Sequence, residues 1–394
     1  MRLAQSFSRL GTETAFEVLA RARALEAQGR KIIHLEIGEP DFDTPANIRD
    51  AAKKALDGGY THYGPSAGLP ETRKAVAEYV SQTRGVKIAP EETIIVPGGK
   101  PIIFFTILAL IEPGDEVIYP NPGFPIYESM INYAGGKPVP LPIREDLDWD
   151  FDPADLEKLL TPKTKLVILN SPANPTGGVM SIATMERVIK TLAKFPDAML
   201  LTDEIYSRIV YEGKHLSLLS HPGMKERTIL LDGFSKTWAM TGWRLGYGVG
   251  PKWLIDAMAK LATNDHSCVS SFSQIAAIEA LNGPQDAVTN MVAEFKRRRD
   301  VIVKGLNSLP GVTCRSPKAA FYVFPNIKAT GLKSKTLSDA LLTDAGVACL
   351  PGTSFGALGE GYLRFSYANS VENIEVALAS IKKILPKLAA VAQK

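Results

Sequence analysis

The chain has 394 residues, 45% hydrophobic and 22% charged, with 45 Lys+Arg against 42 Asp+Glu and a net charge of +3. At ~100–200 residues per domain, this length predicts about two or three domains with a sizeable core. The composition argues against long disorder or a charged tail. Three scattered cysteines, Cys268, Cys314 and Cys349, argue against a disulfide framework and a clustered zinc site, and for a reduced, cytoplasmic setting. The five histidines show no ligand spacing, so no metal is expected. No apolar run approaches the ~20 residues of a membrane span, and Met1-Arg2-Leu3-Ala4-Gln5-Ser6 lacks the apolar region of a signal peptide. The longest basic run, Lys296-Arg297-Arg298-Arg299, falls in a helical pattern and reads as a solvated face. Neither a membrane nor a nucleic-acid partner is expected.

In chain order, residues 14–28 read as a helix with Phe16, Leu19, Ala20 and Leu25 apolar and Gly29 ending it. A short strand is predicted over 31–37. Residues 45–56 suit a helix with Thr44 as N-cap and Pro45 at the first position. A second helix is predicted over 69–84. Regular alternation follows: strands over 92–96, 115–119, 137–141, 165–169, 199–202 and 228–231, with helices over 101–111, 124–133 and 181–193. Buried strands flanked by helices predict an α/β fold whose mostly parallel sheet is covered on both faces. After about residue 284 the pattern becomes α+β. A long helix over 286–307 precedes short strands over 312–315 and 320–324. A helix over 335–345, a strand over 362–367 and a final helix from Val371 complete a second, smaller domain.

Four strand-end features carry chemistry. Lys236 follows the apolar run Ile229-Leu230-Leu231 and sits in the weakly charged stretch Ser235-Lys236-Thr237-Trp238. A lysine in apolar surroundings has a lowered pKa and is ready, as a neutral amine, to form a Schiff base. Asn174 lies in Asn170-Ser171-Pro172-Ala173-Asn174-Pro175-Thr176-Gly177, a rigid loop after a strand. Ligands bind at such carboxyl ends in open α/β sheets, although the same residues also make plain turns. Asp203 and Tyr206 follow the next strand and, three apart, share the face of a helical turn; helix capping is the plainer role for Asp203. Gly98 and Gly99, before Lys100-Pro101, permit close backbone approach at a helix start, where free N–H groups meet an anion such as phosphate.

Together with Arg244, eight residues after the lysine in Thr241-Gly242-Trp243-Arg244, this set resembles the pyridoxal 5′-phosphate (PLP) enzymes of the class I/II aminotransferase family. The match runs from Gly38-Glu39-Pro40-Asp41-Phe42 to Tyr362-Leu363-Arg364-Phe365-Ser366. It is nearest the prokaryotic-type subgroup of the aspartate aminotransferase fold, with Ala-Met-Thr-Gly-Trp-Arg after the lysine. The resemblance implies the PLP-dependent transferase fold of type I. A large PLP-binding domain would span 45–284, and 1–44 with 285–394 would form the small domain.

The resemblance also implies roles. Lys236 would form the internal aldimine and move a proton between substrate and cofactor. Asp203 would pair with the pyridine nitrogen, and Asn174 and Tyr206 would hydrogen-bond the ring's phenolic oxygen. Arg244 would grip the phosphate with the backbone of Gly98, Gly99 and Lys100, Ser235 assisting. Phe124 would stack on the ring, where relatives often carry Trp or Tyr. Tyr63 would reach the phosphate of a neighbouring subunit, making the active site depend on a homodimer. Arg364 would bind the substrate α-carboxylate as a fork, and Gly38 would let the N-terminal segment close over the substrate. Gly233 departs from the family, where a phosphate-binding serine is common.

Lys100 is the sharpest substrate clue, because the helix dipole disfavours a lysine there unless an anion is near. In some prokaryotic aspartate aminotransferases that the chain resembles, a lysine in a similar Gly-Gly-Lys loop binds the distal carboxylate of aspartate or glutamate; the plainer role for Lys100 is to add to phosphate neutralisation or to face solvent. The expected reaction is ping-pong transfer of an amino group from an L-amino acid (aspartate, glutamate or aromatic) to a 2-oxo acid such as 2-oxoglutarate. A PLP-dependent β-lyase of the cysteine-conjugate or cystathionine type shares these cofactor residues. A PLP-fold transcriptional regulator is disfavoured, because the stretch before Gly38 is too short for a winged helix and the net charge is only +3.

Overall fold

Seven strands form the central sheet of the computed structural model, which describes residues 2–392. Across the sheet they run Thr93–Val96, Gly246–Val249, Thr228–Gly233, Met199–Asp203, Thr164–Asn170, Glu116–Asn121 and Lys137–Pro142. Gly246–Val249 is antiparallel to both neighbours; the other pairings are parallel. Side chains of one strand alternate between faces. Leu166 and Ile168 join a core cluster with Ile103 and Tyr127, while Val167 and Leu169 join another with Met185 and Val188. Both faces are therefore buried under helices, which explains the near-continuous apolar strands. The register sets Asn170 opposite Asp203 and Asp203 opposite Leu231, so adjacent strands end together and their loops share one edge.

A second group of elements follows. Leu350–Pro351, Leu363–Ser366 and Tyr322–Val323 form a three-stranded antiparallel sheet. Ile33–His34 pairs parallel with Val347–Ala348. Helices Asp286–Asn307, Ser334–Ala345 and Val371–Ala392 surround them. Met1 and residues 393–394, included in the expected small domain, lie outside the described residues.

Several local expectations are corrected. Thr44 does not cap a helix: its hydroxyl donates to the Ala239 carbonyl at 2.7 Å and accepts from Trp243 Nε1 at 2.9 Å. It thus ties the start of helix Ala46–Asp57 to the loop that carries Lys236. The strand expected over 312–315 reduces to one bridge, Thr313 with Asn326, and that over 31–37 to Ile33–His34. The basic run is a solvated face only in its first half, Lys296 and Arg297. Arg298 and Arg299 are buried. Arg298 donates to Asp41 at 2.7 Å and lies over the ring of Phe42, while Arg299 bonds the Pro317 carbonyl. Strand Gly246–Val249 and helices Pro153–Leu159, Lys252–Asp265 and Ser271–Asn282 were not foreseen.

Candidate active site

The sheet's carboxyl edge and the second group of elements enclose a cavity of about 510 Å³. Lys236 enters it from the loop after Thr228–Gly233 and donates from Nζ to the Gly38 carbonyl at 2.5 Å. Burial lowers its pKa to about 8, so the neutral amine is accessible near physiological pH.

Asp203 ends its strand on the same cavity. The Tyr127 hydroxyl donates to its Oδ2 at 2.6 Å, and the Ile205 backbone N–H to Oδ1 at 3.2 Å. Burial pushes this carboxyl up to about 6 despite those bonds. A buried carboxylate with neutral partners favours a cation beside it. Tyr206 is buried, and its hydroxyl shares a 2.7 Å hydrogen bond with Tyr322.

Arg364, on strand Leu363–Ser366, is buried between the rings of Tyr322 and Phe355, 4.6 and 4.9 Å from their centres. It donates to Asn174 Oδ1 at 3.1 Å and to the Glu36 carbonyl. Its buried Nε has no hydrogen-bond partner among the described residues. An unsatisfied buried guanidinium donor beside a cavity is suited to a carboxylate.

The anion end is backbone-rich. Arg244 takes a left-handed φ of 52° and donates to the Thr241 carbonyl at 2.8 Å. Gly98 lies directly beneath its guanidinium, where a Cβ would collide with Nη2, and its φ of +84° also favours glycine. Gly99, Lys100 and Ser235 line the cavity; Gly98 instead packs under Arg244. A serine at Gly233, as in relatives, would be tight here, since its Cβ would meet Gly246 Cα at 3.0 Å and Ile205 Cδ1 at 3.3 Å. Phe124 lines the cavity edge-to-face with Tyr127. Tyr63 is 91% exposed and does not line its own chain's cavity.

The position of Lys100 led to the expectation of a nearby anion, and the anion beside its Nζ is the chain's own Glu13 carboxylate. Glu13, Tyr127 and Tyr322 had escaped notice, and Phe16 counted only as an apolar helix residue, because each is brought to the site by tertiary folding. Behind Asp203 lies a buried charge network in which Arg84 bonds Glu204 at 3.0 Å and Asp232 at 2.9 Å, and His215 bonds Glu204 at 2.7 Å. Burial alone would raise Glu204, but His215 and Arg84 outweigh it and hold it at about 2.

The family model for aminotransferase class I and II matches residues 30–381. The chain belongs to the class I and II aminotransferase family. The aminotransferase is 43% identical over 364 residues to an aspartate aminotransferase of Pyrococcus abyssi, covering 91% of this chain and 93% of that one. It is equally 43% identical to aromatic-amino-acid aminotransferase 2 of Thermococcus litoralis, covering 91% of this chain and 93% of that protein. The crystal structure of the aspartate aminotransferase from Rhizobium meliloti superposes with a TM-score of 0.94 at 37% identity, covering 98% and 99% of the two chains. The family's cofactor is PLP, and the residues present fit it. Asp203 is buried and has no cation paired with it among the described residues, Lys236 has a lowered pKa, and Arg244 rests on a glycine cradle.

Proposed function

We propose that this aminotransferase is a PLP-dependent homodimer that moves the amino group of aspartate, glutamate or an aromatic L-amino acid to a 2-oxo acid such as 2-oxoglutarate. The observation that carries this reading is the placement of Lys236, Asp203 and Arg364 around one cavity. When bound, PLP supplies an aldehyde that condenses with amines and a ring that accepts electron density.

The chain's own residues supply the rest. Asp203 keeps a proton on the pyridine nitrogen, held in orientation by the Tyr127 hydroxyl. Arg244 and the backbone N–H groups of Gly99 and Lys100 neutralise the phosphate. Asn174 and Tyr206 would serve the phenolic oxygen and Phe124 the ring face, all three lining the cavity. Arg364 receives the substrate α-carboxylate on its open Nε edge, which fixes the Cα proton within reach of the Lys236 amine. The Lys236 amine would be the base that takes the Cα proton and, as the ammonium, the acid that gives it back.

In this reading Tyr63 serves a second copy of the chain, completing that copy's phosphate site; its 91% exposure in the single chain supports this. The pieces 1–44 and 285–394 act as a small domain against 45–284, supported by the pairing of Ile33–His34 with Val347–Ala348. Lys236→Ala is the test of the whole reading. It is expected to abolish transfer between an L-amino acid and 2-oxoglutarate; turnover at the wild-type rate contradicts the reading.

A further inference from the structure

Glu13 and Lys100 meet as an ion pair on the wall of the cavity. The Glu13 side chain is only 16% exposed and that of Lys100 43%. The Lys100 ammonium also lies 5.9 Å from the ring centre of Phe16 and 5.8 Å from that of Phe124. Glu13 occupies the N-cap position of helix Thr14–Glu26, yet its side chain makes no capping bond. Its carboxylate is turned to Lys100 instead. The segment around it is fastened on both sides. Gly11 N–H donates to Ser129 Oγ at 2.9 Å, and Thr14 Oγ1 donates to Ser354 Oγ at 2.6 Å.

An aminotransferase admits two different side chains to one cavity in turn. When that side chain is apolar, a bare ammonium beside it loses hydration without compensation. When the side chain ends in a carboxylate, it competes with Glu13 for the same ammonium, and two carboxylates at one cation repel. We propose that Glu13 is a specificity-determining residue, an exchangeable counter-ion for Lys100. With a neutral or aromatic side chain in the cavity, Glu13 remains on Lys100. With a dicarboxylate, the distal carboxylate displaces it. Glu13 therefore favours neutral and aromatic amino acids over acidic ones, while leaving dicarboxylates able to bind as the second substrate. This inference rests on the aminotransferase reading of the cavity.

The test compares wild type, Glu13→Gln, Lys100→Gln and the double variant as PLP-loaded proteins. Binding of two unreactive acids, succinate and 3-phenylpropanoate, is measured by calorimetry. Single half-turnovers with glutamate and phenylalanine are followed by cofactor absorbance. Glu13→Gln is expected to shift the succinate to 3-phenylpropanoate affinity ratio towards succinate by about tenfold. The glutamate to phenylalanine rate ratio moves in the same sense, and Lys100→Gln cancels the effect of the second substitution. An unchanged ratio in Glu13→Gln, or an equal shift in the Lys100→Gln background, overturns the role of Glu13. If the wild type holds PLP but no amino acid alters its spectrum, the reading of the cavity fails instead.

Discussion

The Lys236 amine donates to the carbonyl of Gly38 at 2.5 Å, linking the loop after the central strand Thr228–Gly233 to the N-terminal segment. The bond places Gly38 over the reactive amine, and a Cβ at Gly38 would collide with the Tyr322 hydroxyl. That hydroxyl in turn holds Tyr206. Gly38→Ala is therefore expected to lower kcat/KM by about 10–100-fold through misplacement of the substrate, while PLP stays bound. Cofactor absorbance and steady-state rates measured on the same sample check both halves of the expectation.

The lowered Lys236 pKa has a stability consequence in the cofactor-free protein. The folded state loses this proton near pH 8, whereas the unfolded chain keeps it up to about 10.5. Between those values the unfolded state binds more protons, so stability from this group rises with pH. Wild type should gain on Lys236→Met in urea unfolding as pH increases from 8 towards 10.5. A constant difference would show that the amine is not desolvated.

The charge network behind Asp203 is structural. Arg84→Met leaves Asp232 buried without its cation and Glu204 with His215 alone, and Glu204 directly follows Asp203 in the chain. Breaking such a pair costs about 3–5 kcal/mol. Arg297→Met removes an exposed pair with Glu294 and should cost less than about 1 kcal/mol. Parallel urea titrations of the two variants measure the contrast.

Restoring the serine common in relatives at position 233 should not improve phosphate binding. Gly233 faces Gly246 across the antiparallel pair, and an added Cβ at 3.0 Å from Gly246 Cα requires its neighbours to give slightly, an overpacking expected to cost about 1–3 kcal/mol. Thermal unfolding and PLP affinity of Gly233→Ser test this, with a lower midpoint and no tighter binding expected.

The parts of the site that lie close in sequence were legible there. Asp203 and Asn174 follow apolar strands, and Lys236 sits among small and aromatic residues, so local pattern and loop chemistry pointed to them. Strand Gly246–Val249 escaped because its two glycines carry no side chains to alternate. Tyr127 and Tyr322 come from a helix and a strand distant in sequence from Asp203 and Tyr206. The basic run misled because charge suggests solvent. Arg298 is in fact held by Asp41 and Glu294 and covered by Phe42 and Phe295, a set gathered from two separate segments. Glu13 was hidden for the same reason: the sequence pointed to an anion near Lys100 but not to which residue carries it.

The most direct test of the central claim is an absorbance titration of the PLP-loaded protein with single L-amino acids, followed by 2-oxoglutarate. The account predicts that the cofactor band near the visible edge is lost on adding an amino-acid donor, returns on adding the 2-oxo acid, and does neither in Lys236→Ala. A protein that takes up no PLP, or whose bound PLP responds to no amino acid, would contradict it.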